Sequence, residues 1–139
     1  MLIGTFYHSL EAKGRFSLPK AFRDASDAWV ITAGLDGCLF VFKKSDFEAQ
    51  ATQLASLSYY KADHRQLIRH FAAHASEQQT DNLGRLSISD DLQKMAKLQK
   101  NIVIVGALTH LEVWDQERYH TWLDQQEGSV EESSERLMP

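Results

Sequence analysis

Two short segments carry the charged side chains whose types and spacing could do chemistry. Glu11-Ala12-Lys13-Gly14-Arg15 runs into Phe16-Ser17-Leu18, and Asp81-Asn82-Leu83-Gly84-Arg85 runs into Leu86-Ser87-Ile88. Each reads acid, two variable residues, glycine, arginine, apolar, serine, apolar. A glycine at that place permits the positive φ of a tight turn, and the alternation after it is that of a strand. The arginine therefore projects from the edge of a β-element. Its guanidinium has two uses there: pairing with the acid of its own turn, which pins a hairpin, or offering its planar fork to a ligand outside the protein. On the residues alone both uses stay open. An exposed pair of this kind contributes only about 0–1 kcal/mol, so the turn does not depend on it.

The elements that must position these arginines repeat as well. The two motifs are offset by 70 residues, and further on the offset becomes 72. At that offset Val30–Gly34 matches Ile102–Gly106, Leu39–Phe42 matches Leu111–Trp114, and Phe47 matches Tyr119. Order-preserving agreement of this length indicates duplication. Each half has the same grammar: a Gly-Arg turn and strand, a short helix, a β-branched strand, a glycine turn, a last strand and a closing helix. Pro19 suits the first turn of a helix over 20–25, and Ser89 is the matching cap of a helix over 90–98. Ser45-Asp46-Phe47-Glu48 has the capping-box pattern, whereas Asp115 caps the second closing helix with Trp114 and Tyr119 at staple spacing around it.

Between the halves, residues 62–75 read as a helix with Leu67, Ile68, Phe71 and Ala72 on one face. Lys61, Arg65 and Arg69 share another face, with His64 beside them, which suits solvent, a neighbouring subunit or DNA. The organisation expected is a first repeat over 1–60, a connecting helix over 61–76, a second repeat over 77–125 and a flexible acidic tail over 126–139. The halves are expected to pack as one pseudo-symmetric α+β unit, since a half alone would leave too much apolar surface wet.

Composition narrows the function classes. The chain has 139 residues, 43% of them hydrophobic and 24% charged, with a net charge of −4. That total hides an asymmetry: residues 112–139 balance to −6, so the remainder is mildly basic at +2. Any DNA contact is then local. No apolar run approaches the roughly 20 residues of a membrane span, and no secretory signal is visible, so a cytoplasmic protein is expected. Cys38, the single cysteine, reads as a buried structural thiol, and Tyr119, Trp122 and Leu123 as helix packing. The six histidines form no local metal motif. With no phosphate-binding glycine loop, no Gly-x-Ser-x-Gly and no paired catalytic carboxylates, neither an enzyme, a metal site nor a cofactor is expected.

The paired motifs resemble the tandem Asp-x-x-x-Arg signature of the MraZ family. Gly34-Leu35-Asp36-Gly37-Cys38-Leu39, His74-Ala75-Ser76-Glu77 and Ser134-Glu135-Arg136-Leu137 also look like that family, and the likeness runs the length of the chain. It implies a bacterial DNA-binding transcriptional regulator with two SpoVT-AbrB-type repeats, folded as swapped-hairpin β-barrel elements. It also implies rings that bind short direct repeats in double-stranded DNA upstream of the division and cell-wall gene cluster, and association with the nucleoid. The family's DNA contacts map onto Lys13, Arg15 and Arg85, with Glu11, Gly14, Asp81 and Gly84 shaping the turns. Arg15 suits base reading, because the guanidinium fork matches O6 and N7 of guanine, and Lys13 suits a phosphate or base. Lys20 and Arg23 on the next helix suit phosphates. The chain departs from the pattern at Glu11, one methylene longer than the usual Asp and less able to close an Asx-type turn. It departs again at Leu83, Ser89 and Gln93, which stand opposite Lys13, Pro19 and Arg23, so the second half is expected to read DNA less well. An oligomeric interaction module, antitoxin-like, with purely structural Gly-Arg turns, is the competing reading.

Overall fold

The computed structural model describes residues 1–138. The strands are β1 (Leu2–Ser9), β2 (Arg15–Ser17), β3 (Ala28–Ala33), β4 (Leu39–Lys43), β5 (Ser76–Gln79), β6 (Arg85–Ser87), β7 (Asn101–Leu108) and β8 (Leu111–Asp115). The helices are α1 (Lys44–Ala55), α2 (Ala62–Ala72), α3 (Asp90–Met95), α4 (Gln116–Gln125) and α5 (Ser129–Leu137). Six strands form one antiparallel sheet in the order β1-β7-β8-β4-β3-β5, and β2 pairs with β6 as a separate antiparallel ribbon.

The expected pseudo-symmetry is visible in the pairings. The first strand of each half pairs with the third strand of the other, β1 with β7 and β5 with β3. The last strands, β4 and β8, pair with each other. Neither half completes its sheet alone, so the α+β reading of one shared unit holds. The pairings leave β1 and β5 at the two ends of the sheet, so closure into a barrel is not among them. One core joins the halves, with Phe16, Leu18, Trp29 and Ile31 packed with Leu86, Ile88, Ile102 and Ile104. A second cluster places Phe40, Phe42 and Phe71 with Cys38 and Trp114. Cys38 is buried as expected, its Sγ against the Leu35 carbonyl at 3.1 Å, and burial pushes its thiol up in pKa.

Several local expectations are corrected. The helix over 20–25 is one 3-10 turn, Lys20–Phe22, because Phe22 turns into the core and meets Phe6 edge-on at 5.2 Å. The helix over 90–98 stops at Met95. Ser89 caps its start, accepting from the Leu92 N–H, and Lys97 takes the left-handed conformation, so that Leu98 N–H donates to the Gln93 carbonyl and Lys97 N–H to that of Lys94. That is a Schellman ending with lysine where glycine is usual. The capping box at Ser45 does not form: α1 begins at Lys44, directly off β4, with no side-chain cap. Asp46 pairs with the Lys43 ammonium at 3.5 Å instead. The cap expected at Asp115 does form, accepting from the Arg118 N–H, and Trp114 packs on Tyr119 at 5.3 Å. Trp122 joins them, but Leu123 stays exposed. The connecting helix ends at Ala72, and of its apolar face only Phe71 is buried. The flexible tail expected over 126–139 contains helix α5; its last residue, 139, lies outside the described residues. No helix among the described residues is long and apolar enough to cross a membrane.

Candidate nucleic-acid interface

Seventy residues separate the motifs in sequence, yet the fold lays them side by side. In the β2–β6 ribbon Phe16 faces Leu86, and both are buried. Alternation along a strand therefore puts Arg15, Ser17, Arg85 and Ser87 on the opposite face. Arg15 stands across from Ser87 and Arg85 across from Ser17, which makes the two arginines diagonal neighbours. Reciprocal backbone bonds extend the ribbon: Ile88 N–H donates to the Gly14 carbonyl at 2.8 Å, and Leu18 N–H to the Gly84 carbonyl at 3.0 Å.

The glycines are required by this arrangement. Gly14 has φ +70° and Gly84 φ +75°. A Cβ on Gly14 would lie 2.3 Å from the Ile88 carbonyl oxygen and 2.4 Å from Gln93 Nε2; one on Gly84 would lie 2.8 Å from Arg23 Nε. Arg23 and Gln93, matched by the repeat, thus each close over the glycine of the opposite half. Arg23 Nε also donates to the Leu18 carbonyl at 3.0 Å, and Gln93 Nε2 to that of Ile88 at 2.8 Å.

The two turns differ in the way that Glu11 implies. Asp81 closes its own turn, with Oδ1 accepting from the Leu83 and Arg85 N–H groups at 2.9 Å each. Its Oδ2 takes the Arg85 Nε–H at 2.8 Å. The Arg85 backbone N–H and guanidinium hold the Asp81 carboxyl below its ordinary pKa, and the Asp81 carboxylate raises that of Arg85. Glu11 makes no side-chain cap, and Lys13 as well as Gly14 is left-handed in its turn. The freed Glu11 carboxylate crosses to Arg85, Oε1 to Nη1 at 3.3 Å.

Arg85 is consequently held between two acids with its side chain 19% exposed, whereas Arg15, half-buried, forms no ion pair among the described residues. Lys13 and Lys20 are exposed, and so is Arg23. The two motif arginines are therefore held differently: Arg85 is paired with carboxylates and Arg15 is not. One contributor that sequence reasoning missed is Gln78, whose amide brackets Ser87: Nε2 donates to its carbonyl at 2.6 Å and Oε1 accepts from its N–H at 2.8 Å. No local signal in the sequence marks it, because its partner Ser87 lies on a different strand. Among the described residues no group of three or more His, Cys, Asp or Glu side chains could hold a metal ion.

Comparison with known proteins gives this geometry its context. A family model described as "MraZ protein, putative antitoxin-like" matches the chain twice, over residues 1–70 and 71–139. The chain is 37% identical over 140 residues to the protein named Transcriptional regulator MraZ of Saccharopolyspora erythraea, covering 100% of this chain and 98% of that one. It is 35% identical to the namesake from Desulforamulus reducens, over 99% of this chain and 98% of that one. With the namesake from Natranaerobius thermophilus it shares 37% identity, over 99% of this chain and 97% of that one. Two matches end to end and relatives aligned over their whole length carry one conclusion: the chain belongs to the MraZ family.

Proposed function

We propose that this protein is a sequence-specific, DNA-binding transcriptional regulator whose β2–β6 ribbon enters the major groove. A two-stranded ribbon fits that groove, and the observation that carries the reading is Arg15, on the ribbon's outward face and without a carboxylate partner. Arg15 reads a guanine edge; Lys13, Lys20 and Arg23 neutralise phosphates. Arg85, pinned by Asp81 and Glu11, holds the ribbon in shape and meets DNA less directly. The homologues' name, Transcriptional regulator MraZ, supports the regulatory role.

Four such cations give modest, salt-sensitive affinity, because each phosphate contact is opposed by free counterions. A closed ring of chains on successive promoter direct repeats raises the effective concentration of every further contact. The reading extends to the swapped-hairpin barrel, to a cytoplasmic, nucleoid-associated location, and to repression of the division and cell-wall gene cluster together with the protein's own gene. The test is a gel shift on the DNA upstream of its reading frame. Wild type gives discrete complexes; Arg15→Ala abolishes them at unchanged melting temperature and particle mass. Binding equal to wild type would refute the role of Arg15. The pairing of Arg85 favours a second reading, an antitoxin-like interaction module with structural turns, in which neither Arg15→Ala nor Arg85→Ala alters DNA binding.

A further inference from the structure

The helices that follow the closing helix of each half are used differently. After α1, helix α2 buries Phe71, whose ring stacks on Phe40 at 5.9 Å, and the Phe71 carbonyl accepts the Thr32 hydroxyl at 2.7 Å. After α4, helix α5 buries none of its residues. Val130 is 70% exposed and Leu137 73%. They lie seven residues apart with Ser134 between them, on one face of the helix, and Glu131 and Glu135 line its flank. Nine residues fall short of the roughly 12–15 that an isolated helix needs in water, so a surface has to supply its stability.

A fitting surface lies in the first half. Helices α1 and α2 frame an apolar groove of about 220 Å³, lined by Phe47, Ala51, Leu54, Ile68, Phe71 and Ala72 among others. Arg65 and Arg69 stand one helical turn before the groove residues Ile68 and Ala72 and so flank them; Arg65 Nη1 donates to the Tyr59 carbonyl at 3.1 Å, and the Arg69 guanidinium lies over the Tyr59 ring at 5.7 Å. On the facing helix α1, Lys44 pairs with Glu77 at 3.4 Å and Glu48 is exposed. The helix that lacks a surface is acidic beside its apolar stripe; the groove that lacks an occupant is basic beside its own.

We propose that α5 of one copy lies in the α1–α2 groove of a second copy, with Val130 and Leu137 inside it and Glu131 and Glu135 toward Arg65 and Arg69. The contact joins the second half of one chain to the first half of the next. It is therefore heterologous, and a succession of such contacts continues until it closes. This rests on the closed oligomer proposed above and supplies its joint.

Light scattering on full-length Leu137→Asp and Ala72→Glu tests it. Both positions are exposed, so each variant keeps the fold of the residues before α5, and circular dichroism loses only the helix signal of α5 itself. Each alone is monomeric. Mixed in equal amounts they form heterodimers and nothing larger, because only one intact helix and one intact groove remain per pair. Arg69→Glu lowers the assembled mass, and adding Glu135→Arg in the same chain restores it. If wild type is a closed oligomer and both variants keep its mass, the joint lies elsewhere and this proposal falls while the ring stands. If wild type is a monomer, the ring and the joint fall together.

Discussion

Gly14→Ala and Gly84→Ala replace matched residues, and the structure makes their costs unequal. Both glycines are left-handed, so an alanine at either carries the same backbone penalty of about 1–2 kcal/mol. At Gly84 the new Cβ meets the Arg23 side chain at 2.8 Å. An exposed arginine swings aside and gives up its bond to the Leu18 carbonyl, a further ~1 kcal/mol. At Gly14 the obstacle is the Ile88 carbonyl oxygen at 2.3 Å, which is backbone. Clearing it displaces the ribbon where Ile88 N–H meets the Gly14 carbonyl and Gln93 meets Ile88. Loss of those two bonds at about 1 kcal/mol each, with the backbone penalty and the packing disturbed beneath Phe16, puts Gly14→Ala at about 4 kcal/mol against about 2 for Gly84→Ala. A gap of ~2 kcal/mol corresponds to roughly 4–8 °C in melting temperature for a chain of this size. Urea denaturation of both variants and wild type at one subunit concentration measures it. Equal losses, or a larger loss at Gly84, would refute the assignment of the rigid obstacle to Gly14.

Other outcomes follow from the same contacts. The logarithm of DNA affinity should fall linearly with that of salt, and Lys13→Ala should lessen the slope by about 0.9, as expected for one phosphate contact; an unchanged slope removes Lys13 from the interface. Thr32→Val strands the buried Phe71 carbonyl, costing about 1–3 kcal/mol, and amide exchange should rise first across residues 62–72. Burial against the Phe40 and Phe42 rings holds the His110 pKa below the ordinary 6.5, and burial together with Arg23 does the same for His8. Below that value the unfolded chain binds protons that the folded chain refuses. Their contribution is thus full above it and is lost as pH falls through the lowered folded values. The urea midpoint should drop between about pH 7 and about pH 5, and His110→Phe should lessen the drop; a flat profile would contradict the burial of this ring.

The duplication, the strands, the turn glycines, the Asp115 and Ser89 caps and the buried Cys38 were legible because each is written in local patterns that alternation or capping chemistry enforces. The Ser45 box looked equally good and failed, since β4 hands the chain to α1 before Ser45 and a cap works only at an end. Helix 20–25 shrank to a turn because Phe22 gains more from the core than another helical turn would return. Glu11 was legible in part: its extra methylene pointed to a poorer Asx turn, but nothing local says that its carboxylate would reach the arginine of the other half.

Sequence alone therefore determined that two Gly-Arg turns exist and that the halves are related, because periodicity and glycine placement are properties of neighbours along the chain. Only the tertiary structure decided that the turns form one ribbon, that Arg85 is held while Arg15 is left unpaired, and that α5 stands without a surface. Those outcomes depend on pairing between residues about seventy apart, where hydrogen-bond register and carboxylate reach, rather than local preference, set which charge meets which.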